Sequence, residues 1–132
     1  MVEKRLYQRV IGGINGNFII RNKKLGCIEF TGVIDDLSEN GIRISITDSN
    51  WFENVKKIET GDKLLFQALD EYKLHDEVRV DIFSAETEVI RLDDNGDSIV
   101  IGCKIYESSR EFDEYIKNRK MALFIERGYI LD

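Results

Sequence analysis

The stretch Gly26–Ile46, GCIEFTGVIDDLSENGIRISI, decides the fold. Two runs in it, Gly26–Asp35 and Gly41–Ile46, alternate with a period of two. Ile28, Phe30 and Gly32 share one parity in the first, and Ile42, Ile44 and Ile46 share one in the second. That period belongs to a strand with one buried face. Between the runs lies Asp36-Leu37-Ser38-Glu39-Asn40-Gly41, dominated by residues that favour turns for steric or hydrogen-bonding reasons. The segment predicts two strands joined by a polar turn.

Similar runs extend in both directions. Phe18–Arg21 precedes the segment, and Asp62–Leu69 follows a Thr60-Gly61 turn. Val78–Phe83 and Thr87–Leu92 read as two strands, or as one long strand bulged where the parity slips near Ser84-Ala85. Asp94-Asn95-Gly96 is a hairpin signal, because Asn and Gly tolerate the positive φ of tight turns, and Ser98–Ile105 returns as the partner strand. The period then changes. Phe112, Tyr115, Ile116 and Leu123 fall at helical spacing, Ser108 and Glu111 have capping-box form, and Gly128 is placed to stop a helix running from Arg110 to Arg127. Trp51-Phe52, between strands, is expected to fill core space. About six antiparallel strands and one late helix predict an all-β barrel or sandwich, with the helix over one opening or flank.

At 132 residues there is room for one core. Residues 1–17, with weak periodicity and Gly12, Gly13 and Gly16, are expected to be a flexible lead-in, leaving 18–132 as the single domain. No apolar run is long enough to cross a bilayer and the start lacks a secretory signal, so the expected location is the cytoplasm, without membrane insertion. The two cysteines, Cys27 and Cys103, are expected to be reduced core residues.

The net charge of −6 argues against a nucleic-acid polymer or an anionic membrane as partner. The charge is uneven, however. Residues 1–24 carry Lys4, Arg5, Arg9, Arg21, Lys23 and Lys24 against Glu3 alone, which points to a small anionic partner. Nothing suggests catalysis, a metal or a cofactor. His75 is the only histidine, so no histidine triad or multi-histidine metal site can be built. Asp93-x-Asn95-x-Asp97 begins like a calcium loop, but Gly96 is misplaced and Lys104 stands where a bidentate Glu is needed. Gly12-Gly13-x-x-Gly16 neither follows a strand nor opens a helix, which removes a dinucleotide reading.

Two candidate sites remain. Arg5 and Arg9 are four apart. Guanidinium gives paired hydrogen bonds to phosphate, stacks on aromatic planes and pairs with the O6/N7 edge of guanine. In the turn, the Asp36 carboxylate could accept from guanine N1 and N2, Ser38 could add a polar contact, and Gly41 could let the backbone approach. Either signal alone is weak.

Together, Arg-x-x-x-Arg at Arg5–Arg9 and Asp-x-Ser-x-x-Gly at Asp36–Gly41 resemble the PilZ domain family, with every defined motif position matched. The likeness runs on through the GDKLLF, EVIRL and IGCKI strands and the closing helix. It implies a six-stranded antiparallel β-barrel with a C-terminal α-helix that acts as a bacterial receptor for cyclic di-GMP and relays the signal to an effector protein. It further implies that Arg5 and Arg9 hold phosphate and guanine, that Asp36 and Ser38 read a guanine edge, and that Gly41 keeps the wall clear. Lys4 is a weaker addition, and Gly102 a family glycine with a packing role. The alternative is a scaffold of the same fold that meets proteins without nucleotide. Ligand stoichiometry and a homodimer are left open.

Overall fold

The computed structural model describes residues 12–22, 24 and 26–126. Six antiparallel strands close into a barrel-like ring in the order β1-β2-β3-β6-β5-β4, and one long helix follows. The strands are β1 (Ile14–Asn22), β2 (Gly26–Leu37), β3 (Gly41–Ile46), β4 (Lys63–Leu74), β5 (Glu77–Asp94) and β6 (Ile99–Ser108). A short helix α1 (Phe52–Val55) lies between β3 and β4, and α2 (Arg110–Glu126) ends the described chain. The expected all-β architecture with a C-terminal helix is present.

Alternation decides what enters the ring. Phe18, Ile20, Ile28, Phe30, Ile42, Ile44, Ile46, Leu64, Phe66, Ile99 and Ile101 are all buried. The rings of Phe18 and Phe30 stack at 5.3 Å, with Phe66 6.4 Å from Phe18. Trp51 and Phe52, expected to fill core space, are only partly buried and pack against this core without joining it. The helix closes one mouth: Phe112 meets Phe66 edge-on at 6.1 Å, and Tyr115 stacks on Phe83 at 3.8 Å. Full burial of a ring such as Phe112 contributes about 1.5–3 kcal/mol. The two buried polar residues among those described are paired: Thr87 donates to the Leu64 carbonyl at 2.9 Å, and Asn22 donates to Asp62 at 2.9 Å.

Several expectations need correction. β1 begins at Ile14, so 14–17 belong to the ring and not to a lead-in ending at Asn17. Val78–Phe83 and Thr87–Leu92 form one strand, β5, but its inward parity runs unbroken through Phe83, Ala85, Thr87 and Val89. The extra residue of β5 is Ile90; the other shift in the β5–β6 register, between Glu86 and Thr87, lies beside the expected place but skips Tyr106 of β6 and no residue of β5. β4 reaches Leu74, five residues beyond expectation, and turns back through His75 and Asp76 at φ 51° and 63°. The helix starts from Ser109, not Ser108: the Phe112 amide donates to Ser109 Oγ at 3.1 Å, and that hydroxyl donates to the Ser84 carbonyl at 2.7 Å. Cys103 is buried, but Cys27 is exposed, because it has the opposite parity to Ile28. Gly128 lies outside the described residues.

Candidate functional site

The turn between β2 and β3 is built by its own side chains. The Ser38 amide donates to the Gly41 carbonyl at 3.0 Å, and Ser38 Oγ accepts from the Asn40 and Gly41 amides at 3.3 Å each. The hydroxyl expected to meet a ligand therefore also holds the turn. From the far side, the Ile105 amide donates to the Asn40 carbonyl at 2.9 Å, and Glu39 pairs with Lys120 of α2. At Gly41 a Cβ would lie 3.1 Å from the Cys103 carbonyl, so glycine here permits close approach of β3 to β6. A bare wall results.

A bulge at Asp35 aims the acid of the site. Pairing of β2 with β3 steps from Ile34–Ile44 to Asp36–Arg43, so one residue is extra. Ile34 and Leu37, three apart, both point inward, while Asp35 and Asp36 between them are half-buried at the surface. Asp35 accepts from Ser45 Oγ. The second bulge, at Ile90, does the same for β5: Val89 pairs with Cys103, but Arg91 pairs with Gly102.

The two bulges bring one row into line across four strands. Asp36 lies opposite Arg43, Arg43 opposite Gly102, and Gly102 opposite Arg91. Adjacent strands are about 4.8 Å apart, so the two arginines flank a side-chain gap roughly 10 Å wide, floored by Gly102. A cavity of about 240 Å³ opens here, lined by Asp36, Ser38, Gly41, Arg43, Arg91 and Gly102, with Ile90 at its side. Arg43 makes no ion pair among the described residues, while Arg91 Nε lies 3.1 Å from Asp93 on the exposed surface. Exposed pairs of this kind are weak, so both guanidiniums are available to an anion. Sequence reading missed both arginines. Their placement depends on two bulges, and no local residue signal marks either one.

Lys4, Arg5 and Arg9 lie outside the described residues. The described chain nevertheless begins beside the site. The Gly13 amide donates to the Ile34 carbonyl at 2.8 Å, and a Cβ on Gly12 would lie 2.5 Å from the Asp35 carbonyl oxygen. Only glycine fits there. Arg9 is three residues before Gly12, and Arg5 is seven before it. At no more than about 3.6 Å per residue, the chain can span at most about 11 Å between Gly12 and Arg9 and about 25 Å between Gly12 and Arg5.

Among the described residues no group of three or more histidines, cysteines or carboxylates is arranged to hold a metal ion, and no helix is long and apolar enough to cross a membrane. Burial raises the Cys103 thiol to about 11, which keeps it protonated under the cavity wall.

No family model and no curated protein matches the chain. Solved structures do. The Bacillus subtilis inhibitor of motility MotI/DgrA superposes with a TM-score of 0.52 at 13% identity, over 92% of this chain and 48% of that one. A putative flavin reductase from Haemophilus somnus gives 0.48 at 10% identity, over 83% and 86% of the two chains. The Borreliella burgdorferi PlzA protein in complex with c-di-GMP gives 0.46 at 10% identity, over 99% and 51%. The chain thus spans about half the length of MotI/DgrA, and at this identity the likeness to that protein is one of fold.

Proposed function

We propose that this chain is a PilZ-type receptor that binds cyclic di-GMP on the outer wall of the ring and relays the signal by contact with an effector protein, without a catalytic step. The observation that carries this reading is the row Asp36–Arg43–Gly102–Arg91, with the leading segment rooted at Gly12 against the Asp35 carbonyl. A ligand with two guanines and two phosphates needs a carboxylate for a guanine edge, guanidiniums for phosphate and stacking, and a bare floor for a ring. The row supplies one carboxylate, two guanidiniums and one bare floor, and Arg9 and Arg5, a short way before Gly12 in sequence, would add two more cations. The protein similar in fold is named an inhibitor of motility, which is compatible with relay by protein contact.

Hydrogen bonds to charged groups contribute about 1.5–3 kcal/mol each. Four or five of them, less the cost of ordering the ligand and the leading segment, give a Kd on the order of 1 μM. Calorimetric titration of the intact chain and of the double variant Arg5→Ala/Arg9→Ala tests the assignment. Wild type should release heat with a micromolar Kd, and the double variant should lose binding while unfolding at the same temperature. Unchanged binding by the double variant would remove the arginine pair from the site. A complete absence of heat for wild type would leave the nucleotide-free scaffold as the better reading.

A further inference from the structure

The β4–β5 hairpin outruns the ring. β1 accompanies β4 only as far as Ala68, opposite Gly16, and β6 accompanies β5 only from Ala85, opposite Ser108. Among the described residues, 69–84 therefore form a two-stranded ribbon. Helix α2 fixes its inner face: Tyr115 stacks on Phe83 and meets Tyr72 edge-on at 5.9 Å, its hydroxyl donates to Asp70 at 2.6 Å, and Arg119 lies 3.2 Å from the same carboxylate. The ribbon is thus held firmly from one side.

Its other side carries Leu69, Val78, Val80 and Ile82, each 53–59% exposed. Leu69 stands opposite Ile82, Glu71 opposite Val80, and Lys73 opposite Val78. Single exposed aliphatics are ordinary, but four contiguous ones on one ribbon form a surface that no layer covers among the described residues. Apart from these aliphatics, the three rows carry one carboxylate and one ammonium.

We propose that this face packs against the same face of a second copy, making a two-fold symmetric dimer. A two-fold contact requires a self-complementary patch, and this patch is one. An axis crossing the strands between Glu71 and Lys73 lays each Glu71 on the partner's Lys73 and each Val80 on the partner's Val78. The ribbons then pack like facing sheets, with Leu69 and Ile82 covering the partner's turn at His75. Copies with a net charge of −6 repel one another, yet this patch is neutral, so association here avoids the repulsion that an acidic face would meet.

The inference does not depend on nucleotide binding, and its test uses none. Sedimentation velocity of the full chain, from low- to high-micromolar concentration, should show a monomer passing into a dimer. Val80→Arg with Ile82→Arg should stay monomeric while keeping the wild-type circular dichroism spectrum. Glu71→Lys and Lys73→Glu should each weaken the dimer about tenfold by setting like charges face to face, and the two combined should restore it. That restoration is specific to a second copy and independent of whether the arginine variant folds. A monomer at every concentration, a dimer untouched by the arginine variant, or a charge reversal that fails to restore association would each overturn the proposal.

Discussion

Gly102→Val isolates the floor of the proposed site from the stability of the barrel. A Cβ at position 102 meets only Arg91 Cβ, at 3.8 Å, which is ordinary van der Waals contact, and the backbone there is in a strand. Valine favours a strand and glycine weakens one, so the variant should match or exceed wild type by about 0.5–1 kcal/mol in stability. The new side chain leaves the wall on the same surface as Arg43 and Arg91, its neighbours across both strands, and fills the gap between them. A base lying flat on that floor loses its stacking, worth about 1–3 kcal/mol, so cyclic di-GMP affinity should fall about 5- to 150-fold. Calorimetry gives the affinity, and thermal unfolding followed by circular dichroism shows that the barrel is intact. Wild-type affinity in a folded Gly102→Val protein would refute the reasoning, because no ligand could then lie across the row.

Other outcomes follow from the same geometry. Gly12→Val sets a side chain against the Asp35 carbonyl and should displace the leading segment, weakening ligand binding at least about fivefold, as read by fluorescence polarisation of labelled nucleotide. A disulfide reagent at neutral pH should modify Cys27 quickly and Cys103 only as the protein unfolds, since one thiol is exposed and the other is buried with its ionisation pushed upward. Tyr115→Phe removes the hydrogen bond to Asp70 and should cost about 1–3 kcal/mol in urea unfolding. Burial, then the bonds to Asp70 and Asp81, raises the Tyr115 and Tyr72 phenols above their ordinary value. Groups raised on folding stabilise below the unfolded pKa and lose that contribution as pH climbs toward the folded one. Stability should therefore decline with rising pH from about pH 10 upward, and less steeply in Tyr115→Phe.

The strands were legible where one face is buried and the ladder is regular. GIRISI shows both bounds of β3, because its three isoleucines alternate and Gly41 ends the turn. The helix was legible from Phe112, Tyr115 and Ile116, all buried against the hairpin and the ring. The exposure of Cys27 was also available, since it cannot share a face with Ile28. The ribbon was harder to see. Its outer face is apolar, so alternation fades over Val78–Ile82, and a His-Asp turn carries neither Asn nor Gly to announce positive φ. The turn half of the site could be read locally, whereas Arg43 and Arg91 could not. Aligning them with Asp36 takes long-range register through bulges at Asp35 and Ile90, and each bulge is a single residue indistinguishable from its neighbours in sequence.

Backbone amide spectra of the isotopically labelled chain, recorded as cyclic di-GMP is added, test the central claim most directly. The account predicts saturable shifts concentrated at Asp36, Ser38, Gly41, Arg43, Arg91 and Gly102, with Val78–Ile82 on the ribbon unmoved. Spectra that do not change, or shifts confined to the ribbon or the outer surface of α2, would contradict it.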